Sequence, residues 1–261
     1  EVQVVIPLST DSAVHSKVRA HCNYMAGVGG PSGGERQAIV GGAGKTETLA
    51  QTITRAQNLN SRYVSLVNQN FKIVAPDTGV SEELDPSYLA LLLGGMQVSS
   101  PVATPLTWKK PNLLSVENHA GWDATQQAEK ILAKGFIAIE ACSKGLRVQR
   151  SITTYLVDDN PILSELSSME SVLTCVRDLR AQLNSMIGTP ARAFTASLIK
   201  SFAKARLSQQ VDLGIIKAFD DKSLGVDDLG DTFRVNVTIA PTEPINFITI
   251  NLTVDRIPSS A

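Results

Sequence analysis

Two segments near the end of the sequence alternate between apolar and polar residues, and this pattern limits the fold more than any other feature. Because successive side chains of a strand point to opposite faces, we predict strands over residues 232–239 and 246–254, each with one buried face. We expect the second strand to be free to pair with another molecule, since it runs almost to the last residue. The apolar positions are Phe233, Val235, Val237, Ile239, Ile248, Ile250, Leu252 and Val254.

The segment before these strands separates basic from acidic residues. A helix is predicted over residues 191–210, and no acidic residue lies between Pro190 and Gln210. Charges of one sign without local partners indicate acidic partners in the next segment, in a neighbouring subunit or on another acidic surface. The default interpretation is an ordinary solvated helix face, and acidic partners are the competing one. The basic residues are Arg192, Lys200, Lys204 and Arg206, and the acidic ones that follow are Asp212, Asp220, Asp221, Asp227, Asp228 and Asp231.

Composition excludes several classes of function. A chain of 261 residues is long enough for one large domain or two modest ones, and 43% hydrophobic and 19% charged residues are typical of a globular protein. A net charge of −1 argues against a nucleic-acid partner, and no apolar run is long enough to span a membrane. Cys22, Cys142 and Cys175 are predicted to be buried thiols. Because the chain starts at Glu1 rather than Met, we expect a fragment or processed product that lacks an N-terminal part.

Apolar strands and amphipathic helices alternate over the first 145 residues. This order predicts an α/β domain over residues 1–145, with a mostly parallel sheet flanked by helices, followed by an α+β domain over residues 146–261. We expect helices to begin after Asp11, at Thr46 as the capping residue, at Pro86 after Asp85, and after Asp123. The strands are predicted at residues 2–6, 38–40, 63–67, 71–75, 136–141 and 146–153.

The pattern changes after Pro161. Apolar residues recur at intervals of three and four from Leu163 to Met186, which predicts one continuous packed helix that Gly188 ends. The basic helix that follows is predicted to bury one apolar face, and the aspartates after it are predicted to form a loop. The apolar residues of that face are Phe194, Leu198, Phe202 and Leu207.

The segment from Gly41 to Thr46 is similar to a phosphate-binding loop, because Gly44-Lys45-Thr46 lies between a strand and a helix. The working motif needs its first glycine at residue 39, where this chain has Ile39. Counting from Gly41 instead leaves only two intervening residues, too few to surround a phosphate. A tight glycine turn is the favoured interpretation, and a P-loop-like nucleotide-binding domain is the alternative function.

No catalytic, cofactor-binding or metal-binding residue is predicted. His15 and His21 are six residues apart and do not share a helix face, and His119 stands alone in a turn. A serine hydrolase would need an activated serine, and the chain lacks a Gly-x-Ser-x-Gly elbow. Trp108 with the two following lysines is interpreted as a surface turn. A degenerate hydrolase therefore remains a third, weaker hypothesis.

Four segments, in this order along the chain, resemble the contractile phage tail sheath proteins, and together they cover roughly residues 36–254. The first is a strand at residues 38–42 with the helix to Asn60, which ends in Ala56-Gln57-Asn58-Leu59-Asn60. The second is a glycine-bearing helix at residues 88–97 with its following loop, Ser99-Ser100-Pro101-Val102-Ala103-Thr104-Pro105-Leu106. The third is a strand pair that leads into Arg150-Ser151-Ile152-Thr153-Thr154. The fourth is Ile239-Ala240-Pro241-Thr242-Glu243-Pro244-Ile245-Asn246-Phe247-Ile248.

This resemblance implies a non-enzymatic building block whose α/β part is subtilisin-like in outline without the catalytic residues. Such subunits form hexameric rings that stack helically around the tail tube, exchange strands through terminal arms and contract to drive the tube through the target envelope. The implied partners are other copies of the chain, the tail tube protein, and the baseplate and tail terminator proteins. The implied location is the virion tail, assembled in the bacterial host cytoplasm. The expected assembly residues are Arg192, Lys200, Lys204, Arg206, Ile248, Ile250, Leu252 and Val254.

Overall fold

The computed structural model describes residues 2–27, 30–31, 34–117, 131–158, 160–189 and 195–246. It is a mixed α/β structure with several small sheets. Its central sheet is parallel and has the strand order β1-β2-β3, and Ile137 bridges in parallel to Val67 at the far edge. The remaining strand pairs in these ranges are antiparallel. The prediction of a mostly parallel sheet is therefore correct only for this first sheet. The three parallel strands are β1 (Val4–Val5), β2 (Gln37–Gly41) and β3 (Val64–Val67).

Helices cover both faces of the parallel sheet, because β2 and β3 are apolar on both sides. Ala38 and Val40 of β2 pack toward α1 and α2, whereas Ile39 between them packs toward α3. Every residue of β2 and β3 is buried, as expected for strands that have helices on each side. The three helices are α1 (Ser12–Met25), α2 (Leu49–Leu59) and α3 (Pro86–Val98).

Local capping decides where these helices begin. Asp11 caps α1 as predicted, since its Oδ1 accepts a hydrogen bond from the amide of Ala13 at 2.8 Å. The predicted start of α2 at Thr46 is wrong. Thr48 forms a capping box with Gln51, and Thr46 ends the single 3₁₀ turn Gly44–Thr46.

Two antiparallel units pack beside the parallel sheet. In the first, β4 (Phe71–Val74) lies between β5 (Ser81–Leu84) and β6 (Ser115–Val116). The sequence analysis missed β5 because its residues, Ser-Glu-Glu-Leu, show little apolar pattern. The second is the hairpin of β7 (Ile139–Cys142) and β8 (Gly145–Val148). The predicted domain boundary after residue 145 falls within this hairpin, and the division itself stays a prediction.

The long helix predicted from Leu163 to Met186 is two helices, α4 (Pro161–Ser164) and α5 (Leu166–Asn184). Glu165 separates them with extended backbone angles, φ −97° and ψ 126°. Its backbone forms an isolated antiparallel β-bridge with Ile152. The periodicity identified the buried face correctly through Leu166, Met169 and Leu173. It could not locate the break, because the apolar spacing continues across it.

The basic helix is α6 (Ala196–Asp212). Leu207 is buried as predicted, but Leu198 and Phe202 are 39% and 37% exposed, so their predicted burial is wrong. The helix instead buries Ile199 and Ala203. This face of the helix packs against α5 and against the strands that follow α6 in the chain. Phe194 lies outside the described residues.

The predicted strand at residues 232–239 is divided between two sheets. Its first half, β11 (Phe233–Asn236), pairs with β10 (Gly225–Asp228), and β12 (Ile239–Pro241) pairs with β9 (Ile216–Phe219). The aspartate-rich segment therefore contains β9 and β10 and is not a loop. The predicted alternation is nevertheless correct, since Val235, Val237 and Ile239 are partly buried and pack against one apolar core. That core consists of Cys175, Ala203, Leu207, Ile216 and Leu224.

Candidate assembly surface

Arg206 of α6 is held by α5. Its Nε donates to Oδ2 of Asp178 at 2.5 Å and its Nη2 donates to Oδ1, so the guanidinium makes a two-point contact with the carboxylate. The hydrogen bonds to Asp178 raise the pKa of Arg206. Another nitrogen, Nη1, donates to Gln209 at 2.7 Å. The structure thus places Arg206 in a contact between two helices of the same chain.

Lys204 and Lys200 lie near the turn between β9 and β10. Lys204 Nζ lies 2.7 Å from Oδ2 of Asp221, and about half of each side chain is exposed. The hydrogen bond from Lys204 lowers the pKa of Asp221, and the charge of Lys200 adds to this effect. Such an exposed ion pair is weak, so either partner can exchange it for a contact with another molecule. Arg192 lies outside the described residues.

The acidic side chains form an exposed surface beside this basic one. Asp227 and Asp228 are exposed on β10, and Asp231 is exposed in the turn before β11. Asp227 accepts a hydrogen bond from Asn236 at 2.9 Å across the hairpin. Basic and acidic side chains are therefore close together at the surface of the C-terminal part. The apolar assembly residues Ile248, Ile250, Leu252 and Val254 lie outside the described residues.

A buried carboxylate connects three distant parts of the chain where α4 and α5 separate. Glu165, which is 1% exposed, accepts hydrogen bonds from Arg150 at 2.8 Å, from Ser151 at 3.3 Å and from Asn246 at 3.2 Å. The side chain of Asn246 also accepts a hydrogen bond from Thr107 at 3.2 Å. Burial raises the pKa of Glu165, and the hydrogen bonds from its three donors oppose that rise. We call these five residues the Glu165 anchor.

The connection between β12 and Asn246 has a second attachment, at Thr242. Its hydroxyl donates to the carbonyl of Gly214 at 2.7 Å, and its amide and carbonyl contact the hydroxyls of Ser171 and Ser168 on α5 at 3.4 Å. Apolar burial contributes little here, since the nearby Ile245 is 81% exposed. Polar contacts hold this connection to the rest of the domain.

The sequence analysis missed both the Glu165 anchor and Thr242. The contacts join residues 81 and 139 positions apart, and no local spacing reveals such pairs. One signal was present, because Glu165 interrupts an otherwise apolar and small-residue stretch at the start of a buried helix. A charged residue at a buried position usually has a specific partner.

The loop from Gly41 to Thr46 is closed by the chain's own side chains. Oδ1 of Asn68 accepts from the amide of Gly44 at 2.7 Å, and Oδ1 of Asn70 accepts from the amide of Lys45 at 2.8 Å. These amides are the groups that a phosphate would use. Gly44 has φ 63°, which supports the glycine-turn interpretation. Lys45 pairs with Glu83, and nucleotide binding gains no support.

The buried His15 is explained by hydrogen bonding within the fold. Its Nε2 lies 2.7 Å from the carbonyl of Ser9, and its Nδ1 lies 3.2 Å from Nη1 of Arg55. Since a carbonyl only accepts and a guanidinium only donates, the proton is on Nε2 and the ring is neutral. Burial lowers the pKa of His15. This histidine joins α1 to α2. His119 lies outside the described residues.

Glu170 is a buried carboxyl group of α5 and lies near Gln97 of α3. Burial is the main influence on its pKa, and the backbone of Ala103, the side chain of Gln97 and the charge of Arg177 act against it. Burial outweighs these contacts and raises its pKa to about 7. Gln97 also donates to Gln37 of β2 at 2.9 Å. Polar groups therefore connect the parallel-sheet region to α5.

An open cleft of about 880 Å³ lies beside the β7–β8 hairpin, and Asn246 forms part of its wall. Trp108 at its rim is 62% exposed and has φ 61°, in agreement with the predicted surface turn. The guanidinium of Arg147 stacks on the indole at 4.7 Å and also binds Glu140 at 2.6 Å. Polar and apolar side chains both line the cleft, and the charged Arg147 and Glu140 in its wall are paired with each other.

Within the described ranges, no group of three or more His, Cys, Asp or Glu side chains could hold a metal ion. All three cysteines are free, and burial raises the pKa of Cys22 and Cys175 to about 12. Cys142 is half-buried, which corrects the prediction of three buried thiols. Among the residues searched, no helix is both long enough and apolar enough to cross a membrane.

Comparison with known proteins gives a consistent result. The chain is 28% identical over 253 residues to the candidate tail sheath protein of Enterococcus phage phiEF24C, and 25% identical over 256 residues to the tail sheath protein of Bacillus phage SP01. Each alignment includes 95% of this chain, but only 43% and 42% of the relative. The chain thus spans less than half the length of the curated relatives it matches. No family model matches it.

Solved structures show the same fold at lower identity. The sheath tail protein of Desulfitobacterium hafniense has a TM-score of 0.69 at 17% identity, and the match includes 93% of this chain and 54% of that protein. The sheath complex of an extracellular contractile injection system in its contracted state also gives 0.69, at 14% identity, with 98% and 71% of the two chains matched. The resemblance to contractile tail sheath proteins is confirmed.

Proposed function

We propose that this chain is part of a structural subunit of a contractile tail sheath, which polymerises around the tail tube and contracts to drive the tube through the target cell envelope. One observation carries the proposal: curated relatives that align along 95% of the chain are named as tail sheath proteins. Because those relatives are longer than this chain, the activity of the whole protein is part of the proposal. A purely structural, non-enzymatic role follows from it.

The proposed assembly is a helical stack of hexameric rings of this protein in the virion tail, formed in the bacterial host cytoplasm. Its other partners are the tube, the baseplate and the tail terminator. The α/β part corresponds to a subtilisin-like outline and the rest to an α+β sheath domain. Self-association is supported by the likeness to a sheath complex, which is an oligomer of such chains.

We further propose that the basic residues of α6 contact the tube or an adjacent subunit. Lys204 is the best candidate, because it is about half exposed and its present partner Asp221 is exposed as well. Lys200 lies beside this pair and acts on it through its charge. Weak polar contacts of this kind can break and re-form as subunits slide during contraction. The last strand, residues 246–254, is proposed to add to the sheet of a neighbouring subunit.

Electron microscopy of the full-length protein, expressed with its tail tube partner, tests this function. Wild type is expected to form tube-wrapped rods or hollow striated cylinders. The double variant Lys200→Glu with Lys204→Glu is expected to form neither rods nor cylinders, because both substituted side chains would repel an acidic partner surface. The matched control is Lys17→Glu with Lys144→Glu, which reverses two exposed lysines elsewhere and is expected to assemble normally.

Two results would contradict the proposal at different levels. Dispersed wild-type monomers at every salt concentration would refute the sheath function. Normal cylinders from the Lys200 and Lys204 double variant would leave the sheath function intact and refute the role of the α6 surface.

A further inference from the structure

The connection from β12 to Asn246, residues 242–245, is held at both ends although its own side chains are exposed or only partly buried. Pro241 and Pro244 restrict the backbone, since each proline fixes its φ angle. Thr242 is attached to α5 and to Gly214, and Asn246 is attached to Glu165 and Thr107. A stretch with these two attachments has little freedom to change direction.

Asn246 is the attachment nearest to the proposed exchanged strand. Its amide group donates to the carboxylate of Glu165, and its carbonyl oxygen accepts from Thr107, so one side chain fixes the backbone from two directions. Hydrogen bonds to a charged acceptor are the stronger kind, and Glu165 is fully enclosed. Arg150 and Ser151 hold the carboxylate itself in place.

We infer that the Glu165 anchor positions the start of the C-terminal strand, so that the strand leaves its own domain at a fixed place and can pair with a neighbouring copy while the domain stays folded. This inference rests on the proposed function, because it assigns to residues 246–254 a role in joining subunits. Asn246, Glu165 and Thr107 are positioning residues in this process.

Two physical consequences follow from a fixed starting point. A strand with a fixed origin explores a smaller volume, so its effective concentration at the neighbouring sheet is higher and its docking loses less entropy. A pulling force on the strand during contraction meets the hydrogen bonds of Asn246 and then those of Thr242 before it reaches β12.

The test compares Asn246→Ala with Asn236→Ala in the full-length protein expressed with the tail tube partner. Asn236 is a matched control, because it is also an asparagine of the C-terminal part and makes one exposed hydrogen bond, to Asp227. We expect Asn246→Ala to reduce the yield of extended sheath on the order of tenfold, which corresponds to a modest loss of free energy. We expect Asn236→Ala to match wild type.

Thermal unfolding of each variant separates positioning from simple stability. If Asn246→Ala unfolds at a clearly lower temperature, lost stability alone could explain a lower sheath yield. The Thr107→Val variant then separates the two causes, because it keeps the side-chain shape and removes a single hydrogen bond to Asn246. A reduced sheath yield from Thr107→Val at an unchanged unfolding temperature supports the anchor. Equal yields from wild type, Asn236→Ala and Asn246→Ala, or a normal yield from a stable Thr107→Val, overturn it. Failure of wild type to assemble refutes the proposed function, and the anchor's role in joining subunits with it.

Discussion

The parallel-sheet region and the C-terminal helical region use their polar side chains in opposite ways. At the carboxyl edge of β2 and β3, the amides Asn68, Gln69 and Asn70 are buried and hydrogen-bonded within the chain. Beside α6, Lys204 and Asp221 are exposed and form one weak pair. The difference teaches that the polar groups at this sheet edge are used within the fold, whereas those beside α6 face the solvent.

Energetics explains why only one of the two regions can rearrange at low cost. Removing one partner of a buried polar network leaves the others without hydrogen bonds, and each such group costs about 1–3 kcal/mol. An exposed ion pair instead exchanges its partner for water at almost no cost. The proposed sliding of sheath subunits would be served by a rigid part and a surface of replaceable contacts.

The largest expected effect is that of Asn68→Ala in the rigid region. Asn68 accepts from the amide of Gly44 at 2.7 Å and donates to Glu47 at 3.0 Å. Its loss leaves the buried Gly44 amide without a hydrogen bond and removes one contact of Glu47, which keeps its ion pair with Arg55. We expect the free energy of unfolding to fall by about 2–4 kcal/mol, measured by urea denaturation. Asn58→Ala on the exposed side of α2 is the control and should change it by less than about 0.5 kcal/mol. Equal effects of the two substitutions would break the comparison between the regions.

A smaller, pH-dependent effect is expected for Glu170→Gln, between the two regions. Because burial raises the pKa of Glu170 to about 7 from 4.5, its contribution to stability is fully present below pH 4.5 and is lost as the pH rises through 7. Glutamine stays neutral, so the variant should be more stable than wild type at pH 8 by up to about 3 kcal/mol. The two proteins should differ little at pH 4.5.

Urea unfolding at pH 4.5 and pH 8 measures this difference. Glu82→Gln, on the exposed β5, is the control and should behave as wild type at both pH values. A Glu170→Gln variant with the pH dependence of wild type would show that Glu170 is charged in the fold. The contact between α5 and α3 would then contain a charged group, like the exchangeable pair beside α6. The contrast between the rigid region and the α6 surface would be weaker.

The smallest effect on folding is expected for Lys204→Ala. Its ion pair with Asp221 is exposed at both ends, so its loss should leave the thermal unfolding midpoint unchanged within error. Addition of 1 M salt, which screens exposed charges, should likewise not change the difference between variant and wild type. A clear loss of thermal stability would show that this surface serves folding, and the two regions would no longer differ in kind.

Local patterns predicted the parts of this fold that depend on neighbouring residues. The cap at Asp11, the buried strands β2 and β3, and the alternation from Phe233 to Ile239 all follow from short-range spacing. Some errors were local, such as the start of α2, and others arose where a distant contact prevailed over a local pattern. Glu165 leaves the helix because Ile152, Arg150 and Ser151 bind it in an extended conformation.

The same limit applied to the candidate site. The sequence identified Lys200, Lys204 and Arg206 by their charge, but it could not show that Arg206 is held by Asp178 on the preceding helix. It also placed Leu198 and Phe202 inside, because helical spacing gives two possible buried faces and only packing against α5 selects the one with Ala203. All eight expected assembly residues remain predictions, and Arg192 and the four apolar residues from Ile248 to Val254 also lie outside the described residues.

The sequence by itself determined the alternation of helices and strands, the basic and acidic segments and the resemblance to tail sheath proteins, because each of these depends on residue order over short distances. The tertiary structure alone decided which polar groups are used up within the chain and which stay exposed. It paired Asn68 with Gly44, Arg206 with Asp178, and Asn246 with Glu165 across gaps of 24, 28 and 81 residues. Such pairs form only after the apolar cores bring distant segments together, and local sequence patterns do not encode them.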